Sequence, residues 1–227
     1  MKVNNIVFFG APGAGKGTQA KKVSSGFNLP HIDTGNLIRE AIKKETEFGK
    51  KAKSFVESGK LVPDDLVIGL IKEKLVSLKS SSFKGFILDG YPRTIPQAEA
   101  LEQMLNELGL TSIKVINVQV PEGILIQRLS SRRLCSNKDC GAIYNLITTK
   151  PKVENKCDLC GEALYQRKDD TEEAAKERLN EYHTKTAPLE KYYRDQGVLF
   201  DINGMKEPDE VYNEIVKLFS TSKTTCQ

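Results

Sequence analysis

Residues 10 to 18 read GAPGAGKGT, and the fold turns on how that stretch is understood. Gly10, Gly15 and Lys16 fit the spacing G-x-x-x-x-G-K. An apolar run, VNNIVFFG (3–10), precedes the loop and reads as a buried strand. Helical spacing follows over 15–27, with Ala20, Val23 and Phe27 on one face. A strand that feeds a helix through such a loop can wrap backbone N–H groups around a phosphate, a path that Cβ atoms would obstruct. The helix N-terminus adds its positive dipole end and Lys16 a full charge. A glycine-rich turn with a chance lysine is the plainer alternative. One detail departs from the general pattern: Gly17 follows the lysine, and the hydroxyl comes only at Thr18, positioned for a phosphate or a metal-bound water.

Moving outward, GFILDGYPR (85–93) offers a second element. Its apolar strand delivers Asp89 at the C-terminal end, where ligands of parallel sheets bind, and a carboxylate there can hold Mg²⁺ through water. A strand-ending turn aspartate is the alternative. Further strands are expected at HID (31–33), KVINVQV (114–120) and VLFDIN (198–203). Helices are expected near 34–44, 47–58, 64–77, 95–107, 171–186 and 208–219. Another is expected to start at Pro121 and run to Arg132 or Arg133, and 77–85 reads as a polar loop. Strands alternating with helices predict an α/β fold, a parallel sheet with helices on both faces.

The chain has 227 residues, enough for one α/β domain with insertions. Its net charge of +4, from 34 basic and 30 acidic residues, is too small and too spread for a nucleic-acid stripe. No signal-like or membrane-length apolar run is visible, so the cytosol is the expected compartment. In that compartment five cysteines favour thiols or metal ligands over disulfides.

Four of those cysteines form two pairs, Cys135-x4-Cys140 and Cys157-x2-Cys160, inside a segment that interrupts the strand–helix alternation. Gly141 and Gly161 follow the second cysteine of each pair and are expected to let the backbone aim N–H groups at the sulfurs. A tetrahedral Zn²⁺ site fits this set; iron fits the same ligands, and two disulfides are the remaining alternative. A zinc ribbon that binds nucleic acid is a competing class of function. Against it, Lys150, Lys152 and Lys156 are the only cations between the pairs, and Tyr144 is the only aromatic. Cys226 reads as a spare thiol.

Arginines gather late in the chain, at Arg128, Arg132, Arg133, Arg167 and Arg178, with Arg39 and Arg93 upstream. Their planar forks suit phosphate oxygens. Arg133 and Arg194 are expected instead in surface ion pairs, and Asp169 and Asp170 as a solvated charge run or as partners for the arginines across the stem. His31 and His183 read as a loop residue and a helix-surface residue.

GAPGAGKGTQA, DTGNLIRE, LDGYPRTIPQAEAL, RLSSRR and YQRKDD…RLNEYHTKTAPLEKYY together resemble the adenylate kinase family of the long-lid type, in order and over nearly the whole chain. That resemblance also covers the G-K-G-T order. It implies a P-loop core (1–33, 65–130, 171–227), a small helical insertion for the monophosphate acceptor (34–64) and a zinc-bearing lid (131–170). The family's usual gap in the first cysteine pair is two residues, shorter than the one here. The resemblance further implies Mg²⁺-dependent transfer from ATP to AMP giving two ADP, in a monomer with no nucleic acid or membrane partner. A GTP:AMP enzyme of the same fold is the near alternative.

By motif, Gly13, Ala14, Gly15, Lys16, Gly17, Thr18, Arg128 and Arg132 would bind ATP. Thr34, Arg39, Gly90, Arg93, Gln97, Arg167 and Arg178 would bind AMP, with Gln97 on the adenine. Lys16, Arg93, Arg132, Arg167 and Arg178 would carry the catalysis. The acceptor is an already ionised phosphate oxygen, so this chemistry needs positioned cations more than a base.

Overall fold

The computed structural model describes residues 5–79, 85–110, 113–137 and 139–220. The expected strand residues 3 and 4, the loop residues 80–84 and Cys226 lie outside that range. The central sheet has five strands in the order β2-β3-β1-β4-β8, all pairing in parallel. They are β1 (Asn5–Phe9), β2 (His31–Asp33), β3 (Ile87–Asp89), β4 (Ile113–Gln119) and β8 (Leu199–Asn203).

Every residue of β1 is buried, as a strand covered on both faces requires. Val7 and Phe9 face one apolar cluster, and Ile6 and Phe8 face the other. The first cluster takes Val67, Ile71 and Leu75 from α4 (Asp64–Lys79), Leu101 and Leu105 from α5 (Ile95–Leu108), and Tyr193 from α8 (Pro188–Asp195). The second takes Ala20 and Val23 from α1 (Lys16–Phe27), Leu125 from α6 (Glu122–Ser130), Leu179 from α7 (Glu172–Glu181) and Ile215 from α9 (Pro208–Ser220). The α/β class read from the alternation is therefore the fold observed.

Local chemistry sets the helix starts. Asp33, Thr46, Thr94 and Thr171 each accept the backbone N–H three residues on, inside the first turn of α2 (Thr34–Lys43), α3 (Glu47–Glu57), α5 and α7 respectively. The Asp33 cap joins the end of β2 directly to the start of α2.

Several expectations need correction. Residues 77–79 belong to α4 rather than to a loop. The helix after Pro121 ends at Ser130, and Arg132–Cys135 forms a strand, β5, instead of continuing it. β5 pairs antiparallel with β6 (Ile143–Asn145) and β7 (Leu164–Tyr165), so the cysteine segment carries its own small sheet. The expected helix over 171–186 becomes α7 and then a wide turn over Tyr182–Thr186, in which the Ala187 N–H reaches back to the Tyr182 carbonyl. Pro188 explains the change. It has no N–H to give and would crowd the carbonyl four residues back, so the chain widens and restarts as α8.

Candidate active site

β1 runs into the glycine loop, and α1 begins at Lys16 with Gly15 at its cap position. Gly10 has φ +126°, and a Cβ there would lie 2.5 Å from the Val118 carbonyl oxygen, so only glycine lets the loop leave β1 beside β4. Gly17 has a specific reason as well. A Cβ at that position would stand 3.1 Å from Asp89 Oδ2, which brings the strand-end carboxylate against the first turn of α1. The first turn carries no acid that would compete with a bound anion. Thr18 lies in this same turn, half-buried.

Lys16 Nζ donates to the Gly10 carbonyl at 2.7 Å and the Ala11 carbonyl at 2.8 Å, spanning the loop it follows. Part of the side chain remains accessible, but the ammonium is surrounded by protein. Desolvation lowers its pKa to about 7, Asp89 opposes the drop, and Arg93, Arg178 and Arg132 add to it. Asp89 is 9% exposed. Burial pushes its pKa up, but neighbouring His31 and Lys16 outweigh this and hold it below the usual carboxylate range. His31 is accordingly a strand residue whose Nε2 stands 3.8 Å from Asp89 Oδ2, and not a loop residue. His183 is exposed as expected, with Nε2 3.3 Å from Glu122.

Beside the loop lies a half-open cleft. Thr34, Arg39, Gly90, Arg93, Gln97 and Arg178 all line it. Gly59, Lys60, Leu61 and Val62 line it too, none of which carries a motif signal in the sequence. Thr34 Oγ1 is buried without a hydrogen-bond partner. Arg39 donates to Asn36 Oδ1 at 2.7 Å, and burial first, then Arg167, lowers its pKa to about 10. Arg93 Nε donates to the Gly90 carbonyl at 2.9 Å, and its pKa is lowered by burial. Arg167 does not line the cleft wall, but its Nε is buried and unpartnered close enough to Arg39 to repel it.

The RKDD stretch (167–170) is not a solvated run. Asp170 is fully buried, Asp169 is 8% exposed, and 168–170 form a single tight turn. Asp170 receives Arg132 through two bonds, 2.9 Å from Nε and 2.5 Å from Nη2. Arg178 Nη1 bonds Asp170 Oδ1 at 2.9 Å and lies 3.2 Å from Asp169 Oδ2. The two aspartates thus hold the arginines of both stems in one bidentate-capable array. Arg128 stands apart, donating to the Gly204 carbonyl at 3.3 Å beside Met205, a neighbourhood the sequence did not point to. Arg194 makes the expected surface ion pairs with Glu190 and Asp201. Arg133 has no ion pair among the described residues; it bonds the carbonyls of Ser130 and Arg132 at the end of α6.

The four cysteine sulfurs of the second sheet lie within 4.8 Å of one another, with Cys135–Cys160 at 3.4 Å and Cys140–Cys157 at 3.6 Å. These are not bonded distances, and all four cysteines are free thiols. The edge of a tetrahedron of sulfurs around Zn²⁺ is about 3.8 Å, so the set fits a metal of that kind. The N–H groups aimed at sulfur come from Asn137, Ala142, Leu159 and Cys160. Gly141 and Gly161 adopt positive φ as the tight turns require; their own N–H groups bond the carbonyls of Asn137 and Cys157, and after Gly141 it is the Ala142 N–H that reaches Cys140. Tyr144 accepts the Asp158 N–H at 2.7 Å, which turns its own O–H toward Cys157 Sγ at 3.5 Å.

A glycine loop and a cleft that share a wall of buried cations suit the handling of two polyanions. The class is that of the P-loop nucleoside monophosphate kinases. The chain belongs to the adenylate kinase family, whose sequence model matches residues 8–198. It is 51% identical over 220 residues to the adenylate kinase of Archaeoglobus fulgidus, covering 97% of this chain and 100% of that one. It is 48% identical over 212 residues to the adenylate kinase of Caldicellulosiruptor saccharolyticus, covering 93% and 97%. Against that of Bacillus licheniformis it is 48% identical over 214 residues, covering 94% and 97%. It is a phosphotransferase, and among the described residues no helix is long and apolar enough to cross a membrane.

Proposed function

We propose that this protein moves the terminal phosphoryl group of ATP to AMP, reversibly and with Mg²⁺, between the glycine loop and the cleft of residues 34–97. The observation that carries this is electrostatic. Arg93 and Arg178 line the acceptor cleft and yet lie close enough to Lys16 to depress its pKa, so donor and acceptor phosphates would meet at one set of cations.

In this assignment the backbone N–H groups of Gly13 to Thr18 and Lys16 hold the donor phosphates, and Arg128 covers the donor base. Arg39 and Arg93 grip the acceptor phosphate, with Thr34 and Gln97 on its base. Arg132, Arg167 and Arg178 bear the charge that spreads over the equatorial oxygens during transfer. No side chain needs to remove a proton, because the attacking oxygen is already ionised. Asp89 would hold Mg²⁺ through water, and the ion, when bound, supplies neutralising charge at the phosphates. Cys135, Cys140, Cys157 and Cys160 would hold Zn²⁺, which supplies a redox-inert crosslink in a lobe whose apolar cluster, among the described residues, is Cys135, Tyr144, Cys157 and Leu164 with two partners. Residues 131–170 would close as a lid and exclude water, and 34–64 would move with the acceptor. A cytoplasmic monomer is the setting proposed for it.

A coupled assay of ADP formation with Mg-ATP or Mg-GTP and each nucleoside monophosphate tests the assignment. ATP with AMP is expected to be the fastest pair. A faster rate with GTP would reassign the donor. ADP formation that ignores AMP and responds to DNA or RNA would overturn the proposal.

A further inference from the structure

Gln97 is held from both ends. Its Oε1 accepts the Arg93 backbone N–H at 2.8 Å, and its Nε2 donates to Asp64 Oδ1 at 2.7 Å. A backbone N–H can only donate and an ionised carboxylate can only accept, so one orientation of the carboxamide satisfies both. Turning it over would set NH₂ against N–H and carbonyl against carboxylate. Gln97 is 2% exposed, which leaves little room for water to repair such a mismatch. Asp64 is itself anchored: its Oδ2 accepts from Thr94 Oγ1 at 2.9 Å, and Thr94 caps the helix that carries Gln97.

We propose that Asp64, at the start of α4, is a positioning residue that sets which base the acceptor cleft takes. The inference rests on the assignment of Gln97 to the acceptor base. With one N–H given to Asp64 and one lone pair given to Arg93, Gln97 keeps one N–H and one lone pair for a ligand. That pair complements a 6-aminopurine, whose ring N1 accepts beside an amino group that donates. A 6-oxopurine offers a donor N1–H beside an acceptor oxygen and needs the carboxamide turned over. Asp64 opposes that turn, so it acts through Gln97 and need not touch the nucleotide. Sites built on such fixed, buried hydrogen bonds reject a mismatched ligand by up to about 10⁴-fold.

The test is the ratio of kcat/KM for AMP to that for inosine monophosphate, with ATP as donor. Asp64→Ala and the isosteric Asp64→Asn, which can present either an oxygen or an NH₂, are both expected to lower this ratio by at least ~10-fold. A purely structural loss would slow both acceptors alike and leave the ratio unchanged. Gln97→Ala separates the two levels of inference. A ratio that collapses in Gln97→Ala and stays within about twofold of wild type in folded Asp64→Asn overturns the role of Asp64 alone. A ratio that survives Gln97→Ala overturns the base assignment and the inference with it.

Discussion

At the scale of single residues, the lysine of the glycine loop has an acid–base consequence. Lys16 has a pKa of about 7 in the folded chain against an ordinary 10.5, so between those values the unfolded chain binds the extra proton. Its contribution to folding stability therefore rises with pH across that window. Nucleotide binding carries the opposite sign. A polyphosphate beside the amine favours the ammonium, so above pH 7 binding takes up a proton and affinity falls as pH rises, by at most about tenfold per unit. Calorimetric titration with Mg-ATP at pH 8, in buffers of different ionisation enthalpy, is expected to show uptake approaching one proton, and Lys16→Arg to abolish it. Arg93 gives a second prediction. Arg93→Ala is expected to lower AMP-dependent transfer on the order of 10³-fold while ATP affinity changes little; equal loss of both would give that arginine another role. Much at this scale was legible in sequence because glycine, lysine and arginine are chosen for chemistry that few other residues supply. Asp64 was not legible, since its effect passes through the amide of a residue 33 positions away. Asp169 and Asp170 left their reading open for the same reason: nothing local shows that a charge run is buried under two distant arginines.

At the scale of elements, helices announced themselves by period, cap and punctuation, and their boundaries mostly fell within a few residues of expectation. The cysteine segment did not, because strands of two to four residues carry too little periodicity to be seen. Its organising signal was the cysteine spacing. The longer first gap is absorbed by a turn in which Asn137 Oδ1 accepts the Asp139 N–H and the Asn137 carbonyl accepts the Gly141 N–H. A lobe with so small a core leans on its crosslink. Chelation of the metal, or Cys157→Ser, is expected to lower the melting temperature by at least roughly 5 °C while changing turnover at low temperature far less. Intact protein found free of metal by elemental analysis would refute the site.

At the scale of the whole molecule, the sheet order explains how residues far apart in the chain reach one place. β1 lies between β3 and β4, so the glycine loop opens beside Asp89 on one side and the start of α6 on the other. The cysteine segment leaves after α6 and returns at Arg167, which brings Arg132 to Asp170 and Arg178 across the stem. The fold class was readable from strand–helix alternation, whereas the convergence of the arginines became visible only with topology. The most direct test of the central claim uses ADP alone. With Mg²⁺ and ADP as the sole nucleotide, ³¹P spectra are expected to show ATP and AMP appearing in equal amounts with no inorganic phosphate, as the proposed transfer between two bound nucleotides requires. Release of inorganic phosphate without matching ATP would contradict the account.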